Sequence, residues 1–306
     1  MGLTLVTGAS GFVGAHLLQE MRKRGLPVRG VSRQKKPGLV TVPSYGPGVD
    51  WSEYLTDVEA VIHLAARVHV MQETAKDPLA EFRVANVDNT LNLARQAADA
   101  GVRRFIFVST IKVNGESTEP GKPFTANDAP NPQDPYAVSK AEAEVALLDL
   151  GREAGMEITI VRLPLIYGPD VRGNLRRLMG LARLGLPSPF LAVKNKRSLV
   201  NVNNVADLLI TAIDHPAAIN QTFLVSDTAL STHELLCALG ARAGCRIIGI
   251  PIPSKLILTL ATLLRRRSSA ERLIMSLEID PRATYHTLSW RPTEPILTFP
   301  PAEKPH

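Results

Sequence analysis

Short apolar runs alternate with longer stretches in which apolar residues recur every three or four positions, and the alternation holds through the first half of the chain. That rhythm predicts strands joined by crossover helices, and therefore a parallel sheet. Residues 3–7 (LTLVT) read as a strand and residues 11–24 as a helix, with Phe12, Leu17, Leu18 and Met21 at helical spacing. A second strand follows at 28–32, and over 34–50 the pattern weakens among Gly, Pro, Ser and Val. Strands return at 60–65, 104–109 and 157–162, with helices at 79–100 and 136–155. The segment 116–135 holds prolines at 120, 123, 130, 132 and 135 and reads as loop. Past Pro164 the alternation degrades, leaving a helix at 174–184, a strand at 222–226 and a helix at 232–244. Five prolines in the sixteen residues after Trp290 give a tail that wraps or frays. The expected architecture is α/β: a Rossmann-type doubly wound parallel sheet over 1–163, rejoined by about 200–228. A smaller substrate-binding lobe takes 164–199 and 229–306.

Composition narrows the class. At 306 residues, 45% hydrophobic and 21% charged, the chain is ordinary globular material with room for about two domains. No apolar run approaches the roughly eighteen residues of a membrane-spanning helix, so no integral membrane association is expected. The longest, 256–264, ends in Arg265, Arg266 and Arg267. It fits an interfacial helix with a basic end or, the reading preferred, a packed helix of the smaller lobe. Two cysteines, Cys237 and Cys245, make no disulfide framework or metal set, and no secretory leader is read at the N-terminus. A cytoplasmic location is expected. The net charge of +6 comes with only 8 Phe, 5 Tyr and 2 Trp, and no basic segment is interleaved with aromatics. Nucleic acid is therefore not the expected partner; small polyanions suit scattered basic pockets better.

Residues 7–14 read TGASGFVG, after a strand and opening a helix. Gly8 permits the tight turn, Gly11 lets backbone approach a pyrophosphate and Gly14 allows helix to pack on strand. With Ser10, Phe12 and Val13 they form the expected pyrophosphate cradle at a helix N-terminus. The second strand closes on Ser32–Arg33, with no carboxylate nearby. An acid there would hold the ribose of NAD, whereas Arg33 can fork onto a 2′-phosphate, so NADP(H) is preferred and NAD(H) remains open.

Tyr136 and Lys140 stand four apart at the start of a predicted helix, so their side chains share a face. An ammonium near a phenol lowers its pKa from about 10 and readies it to exchange a proton with a carbinol or carbonyl. Thr110, closing the strand before them, can hydrogen-bond the same oxygen. His63 reads as a packed strand residue, while His69 can reach a sugar. No nucleophile elbow and no histidine spacing suited to a metal is present.

These motifs resemble the extended short-chain dehydrogenase/reductases, the epimerase/dehydratase family acting on nucleotide sugars. The likeness runs through TGASGFVG, HLAA at 63–66, Asn86, VSTIKVNG at 108–115, YAVSK at 136–140, RLPLIYGP at 162–169 and RSLVNVNNVADLL at 197–209. The resemblance implies Thr110, Tyr136 and Lys140 as the catalytic triad, Lys140 also holding the nicotinamide ribose. It implies cofactor contacts at Leu64, Ala65, Ala66, Asn86 and Pro164, and contacts with a sugar-nucleotide diphosphate at Asn174 and Arg197. Arg67, His69 and Lys112 join the expected substrate contacts, and a homodimer is the family-level expectation.

Departures refine the reading. Family dehydratases carry Asp–Glu after the catalytic Thr, where Ile111 and Lys112 stand here, so a 4,6-dehydratase is not expected. Val68 replaces a lysine that helps galactose 4-epimerases retain NAD, and Ser32 replaces their aspartate. HLAARVHVM, STIKVNGE and RSLVNV are similar to enzymes handling UDP-N-acetylhexosamines for bacterial surface polysaccharides. The preferred expectation is reduction of a UDP-4-keto-6-deoxy-N-acetylhexosamine at C4. A UDP-hexose or UDP-N-acetylhexosamine 4-epimerase with retained NAD, or a non-catalytic NADP sensor on the same fold, are the alternatives. A late arginine near the diphosphate has three candidates, Arg272, Arg282 and Arg291.

Overall fold

The computed structural model describes residues 2–42, 46–68, 76–171 and 173–293. Among these residues, seven strands, all parallel to their neighbours, form one sheet: β1 (Leu3–Thr7), β2 (Val28–Ser32), β3 (Val40–Thr41), β4 (Val58–His63), β5 (Arg104–Thr110), β6 (Glu157–Leu163) and a last strand, Gln221–Leu224. Their spatial order is β3-β2-β1-β4-β5-β6 with the last strand beside β6. This is the doubly wound order, which reverses direction at β1 and opens a crevice at the carboxyl ends of β1 and β4. Strands β4 to β6 are buried along almost their whole length, as sheets covered on both faces require.

Helices cover both faces. On one, α1 (Phe12–Lys23) packs Leu17, Leu18 and Met21 into a core shared with a helix at Val202–Asp214. On the other lie α2 (Ser52–Leu55), α3 (Pro78–Arg83), α4 (Asn89–Asp99) and α5 (Pro135–Ala154), where Leu93, Ala97, Ala143 and Leu147 meet Phe105, Phe107 and Ile158. The periodicity predicts one helix over 79–100. The structure has α3 and α4 joined by a π-helical turn, Val84–Asp88, carrying Asn86 at its buried point. The wider turn shifts the phase of the face without ending the helix, and such turns gather at functional sites.

Pro164 separates β6 from β7 (Leu165–Tyr167), which starts a three-stranded sheet with β8 (Arg197–Asn201) and β10 (Thr228–Leu230). Between them come α6 (Gly173–Arg183), α7 (Val202–Asp214) and β9 (Gln221–Leu224), the strand that returns to the large sheet. Helices α8 (Thr232–Arg242), α9 (Ser254–Leu263), α10 (Arg267–Ile274) and α11 (Arg282–Thr287) follow. Strands as short as β3, β7 and β10 carry too few residues to announce a period of two, so the apolar pattern does not reveal them. The start of the proline-rich tail wraps onto α7: Trp290 Nε1 donates to Asp207 at 2.6 Å and the Thr293 N–H to Asn204 at 3.1 Å.

Candidate active site

The glycine turn forms because only glycine fits it. Gly8 has φ 64°, and a Cβ there would lie 2.8 Å from the backbone of Leu64 and Ala65. At Gly14 a Cβ would meet the Gly8 carbonyl at 2.4 Å, so α1 approaches β1 only without one. Gly11 opens α1 with no side-chain cap and no acid in the first turn, leaving the amides of Phe12 and Val13 to an anion. This cradle fits the pyrophosphate of a dinucleotide. Beside it the Ser32 hydroxyl donates to Ser10 Oγ at 3.2 Å and accepts the Gln34 N–H at 3.3 Å, while Arg33 is exposed.

Leu64, Ala65, Ala66 and Arg67 leave β4 as a half-buried loop, and a polar network beneath holds it. The Ala65 N–H reaches Thr7 Oγ1 at 3.2 Å, and Thr7 Oγ1 lies 2.8 Å from His63 Nδ1. Asn86 Oδ1 accepts the Arg67 N–H at 2.8 Å, while its Nδ2 donates to the Arg67 carbonyl at 3.1 Å and to Ser139 Oγ at 3.0 Å. The Asn86 amide thus fixes the loop and ties it to the helix of Tyr136. Burial, with Lys140 nearby, pulls His63 down to about 3, so its ring is neutral at ordinary pH.

Helix α5 delivers the Tyr–Lys pair. Asp134 caps it by accepting the Ala137 N–H at 2.7 Å, and Pro135 takes the first turn, where no N–H is needed. Tyr136 follows at once, half-buried beside the Phe82 ring at 6.1 Å, and Lys140 is fully buried one turn on. Burial pulls Lys140 down to about 7, against the opposing pull of Glu144. Its Nζ lies 3.6 Å from the centre of the Phe107 ring, a contact that also favours the ammonium. The phenol differs from the sequence expectation. Among the protein's own groups, burial and the Asp134 carboxylate push Tyr136 above its ordinary range instead of lowering it.

Thr110 ends β5 in extended geometry and accepts the Lys112 N–H at 3.3 Å. Lys112 ion-pairs with Glu116 at 2.7 Å and with the capping Asp134 at 2.6 Å, which clamps the turn after Thr110 to the start of α5. Below the pair, Glu144 receives the Arg162 guanidinium at 2.6 Å, and Arg162 also donates to Asn114 at 3.0 Å, all three buried. Sequence reasoning passes over Glu144 and Arg162. Their signals are a carboxylate four residues after Lys140 and a charge inside the apolar run EITIVRL.

Arg197 opens β8 and donates to the carbonyls of Arg272 at 3.0 Å and Met275 at 3.3 Å. Burial, with Arg272 nearby, lowers its pKa against the pull of Glu116. The Arg272 charge thus acts on Arg197, whose guanidinium is held by the Arg272 main chain. Arg282 pairs with Asp280, and Arg291 lies against Tyr285 at 5.2 Å. Asn174 sits in the first turn of α6, but its side chain, like His69, lies outside the described residues. A depression of about 650 Å³ behind α1, lined by His16, Glu20, Arg24 and Asp207 among others, includes none of the predicted site residues among those described.

The model of the NAD dependent epimerase/dehydratase family matches residues 4–226. The chain is similar to UDP-glucose 4-epimerase of Vibrio cholerae, 40% identical over 299 residues, covering 95% of this chain and 91% of the relative. In fold it is similar to UDP-N-acetylglucosamine 4-epimerase from Bacillus cereus, with TM-score 0.78, 21% identity, and 96% and 95% of the two chains covered. UDP-glucose 4-epimerase of Thermus thermophilus, solved with NAD, gives TM-score 0.75 at 22% identity over 96% and 95%. The family match spans the glycine cradle, the end of β5 and the helix of Tyr136 and Lys140, and the chain belongs to the NAD dependent epimerase/dehydratase family.

Proposed function

We propose that this protein is a 4-epimerase of a UDP-hexose or UDP-N-acetylhexosamine that works with a retained NAD. The carrying observation is the Tyr136–Lys140 pair, with Lys140 buried against Phe107 and Thr110 at the end of the neighbouring strand. The 40% identity to the Vibrio cholerae enzyme across 95% of the chain supports the epimerase over other reactions of the family.

NAD in the glycine cradle would supply the hydride acceptor and donor for C4. Tyr136 takes the proton of the C4 hydroxyl as that carbon is oxidised and returns it after the sugar has turned its other face. Thr110 holds the same oxygen, and the Lys140 ammonium stabilises the phenolate that accepts the proton in the oxidation and is restored when the proton is returned. Arg197 and Arg272 bind the diphosphate, whose charge offsets the repulsion between them, and Arg67 contacts the sugar. Lys112 and Asp134 keep Thr110 and Tyr136 in register.

The second reading is a UDP-4-keto-sugar reductase using NADP(H), a step toward surface polysaccharide. It is favoured by Ser32, whose neutral hydroxyl stands where an acid would hold the ribose of NAD, and by the exposed Arg33 beside it. Incubation with UDP-glucose and UDP-N-acetylglucosamine, with no nucleotide added, separates the two. Proton spectroscopy should show the C4 epimer building to equilibrium. Turnover that appears only with NADPH and a 4-keto sugar would replace this proposal with the second.

A further inference from the structure

Helix α9 is built largely of apolar residues, yet Ala261 is its one buried side chain. Ile257 and Leu258, half-buried, share the inner face with it. Leu256, Leu260, Leu263 and the C-cap Leu264 follow one another at i, i+4, i+7 and i+8, which places them on a single stripe away from that face. Their exposures are 50, 49, 76 and 73%. A helix on a water-facing surface carries polar residues there, and this one carries leucines. The strap that leads into α9 adds two more exposed apolar residues, Ile248 and Ile250, on either side of Gly249. The strap is pinned by the Ser188 N–H to Ile248 carbonyl bond at 2.8 Å and the Ile250 N–H to Ser188 carbonyl bond at 2.7 Å.

The charge at the end of α9 says what this surface meets. The helix closes in a Schellman turn, with the Arg266 N–H on the Ala261 carbonyl at 2.7 Å and the Arg265 N–H on that of Thr262 at 3.0 Å. Arg265 takes the left-handed position at φ 54°, where glycine would sit without strain. Arg265 and Arg266 are exposed, Arg267 pairs with Glu271, and no acid occurs between residues 254 and 270.

We propose that the outer face of α9 docks this enzyme peripherally on an anionic lipid surface. The leucine stripe enters the boundary between headgroups and acyl chains, and Arg265 and Arg266 meet lipid phosphates. A second copy of the same face would bring the same arginines and no acid to neutralise them.

Flotation of the full chain with vesicles tests this, using phosphatidylcholine alone and phosphatidylcholine with phosphatidylglycerol. The protein should float only with the anionic vesicles, and less as salt rises. L260S/L263S should abolish flotation. R265G/R266S should weaken it roughly 25-fold, at about fivefold per arginine. A glycine in place of Arg265 suits the left-handed turn, so misfolding would not explain that loss, and both variants should keep wild-type turnover in solution. Wild-type protein that fails to float with phosphatidylglycerol overturns the proposal, as does undiminished flotation of L260S/L263S. If wild-type does not float but L260S/L263S turns a dimer into a monomer, the face is an interface between copies and the proposal falls.

Discussion

Thr7 and Thr90 hold the two ring nitrogens of His63 from opposite sides, at 2.8 and 3.1 Å. The Thr90 hydroxyl donates to the Asn86 carbonyl at 2.8 Å, so it accepts from Nε2–H. Nδ1 then carries the lone pair that receives the Thr7 hydroxyl, whose oxygen accepts the Ala65 N–H. This order of donors assigns a single neutral tautomer. It also links β1, the loop after β4 and the π-helical turn through one buried chain.

Stability should therefore fall on the acid side through His63. Its folded pKa, about 3, lies below the ordinary 6.5, so the unfolded chain binds a proton that the folded one refuses. The contribution is complete above pH 6.5 and drains as pH drops toward 3. Between pH 7 and pH 4 it amounts to roughly 3 kcal/mol. Urea unfolding at several pH values should show a shallower acid slope for H63N than for wild type, whatever the variant's stability at pH 7.

The Glu144–Arg162 pair is buried on both sides, so removing one partner strands the other. Glu144→Gln should cost about 3–5 kcal/mol in urea unfolding. The double change E144L/R162M should recover most of that loss. It also removes the carboxylate that pulls Lys140 upward, so Lys140 should lose its proton at lower pH. The alkaline limb of the pH–rate profile should move down accordingly, which loss of packing alone would not produce.

Tyr136→Phe keeps the ring against Phe82 and removes only the exchangeable proton. Turnover should fall by about 10² to 10⁴. Binding of the UDP-sugar by calorimetry should stay within a few-fold of wild type.

Either Arg197→Ala or Arg272→Ala should weaken UDP itself, with no sugar attached, by roughly 10- to 100-fold, the worth of a charge-assisted hydrogen bond. Equal affinity of both variants for UDP would remove the diphosphate from this corner of the lobe.

Much of this arrangement was legible from residue spacing. The glycine turn could be read because each glycine answers a separate steric demand, and the Tyr–Lys pair because one helical turn puts both on a face. The supports were not. Thr7, Thr90 and Ser139 are ordinary residues whose importance comes from meeting partners 27 to 58 positions away. Helix periodicity joined 79–100 into one regular helix and so hid the turn that aims Asn86. The lowering of the Tyr136 pKa expected from Lys140 ignored burial and Asp134, which pairwise spacing does not report.

What the glycine cradle retains separates an epimerase from a reductase most directly. The purified protein should be denatured and the released nicotinamide nucleotide identified and counted by chromatography. Near-stoichiometric NAD is the result an epimerase with a captive cofactor requires. Released NADP(H), or no nucleotide, would contradict it and identify an enzyme that exchanges its cofactor at every turnover.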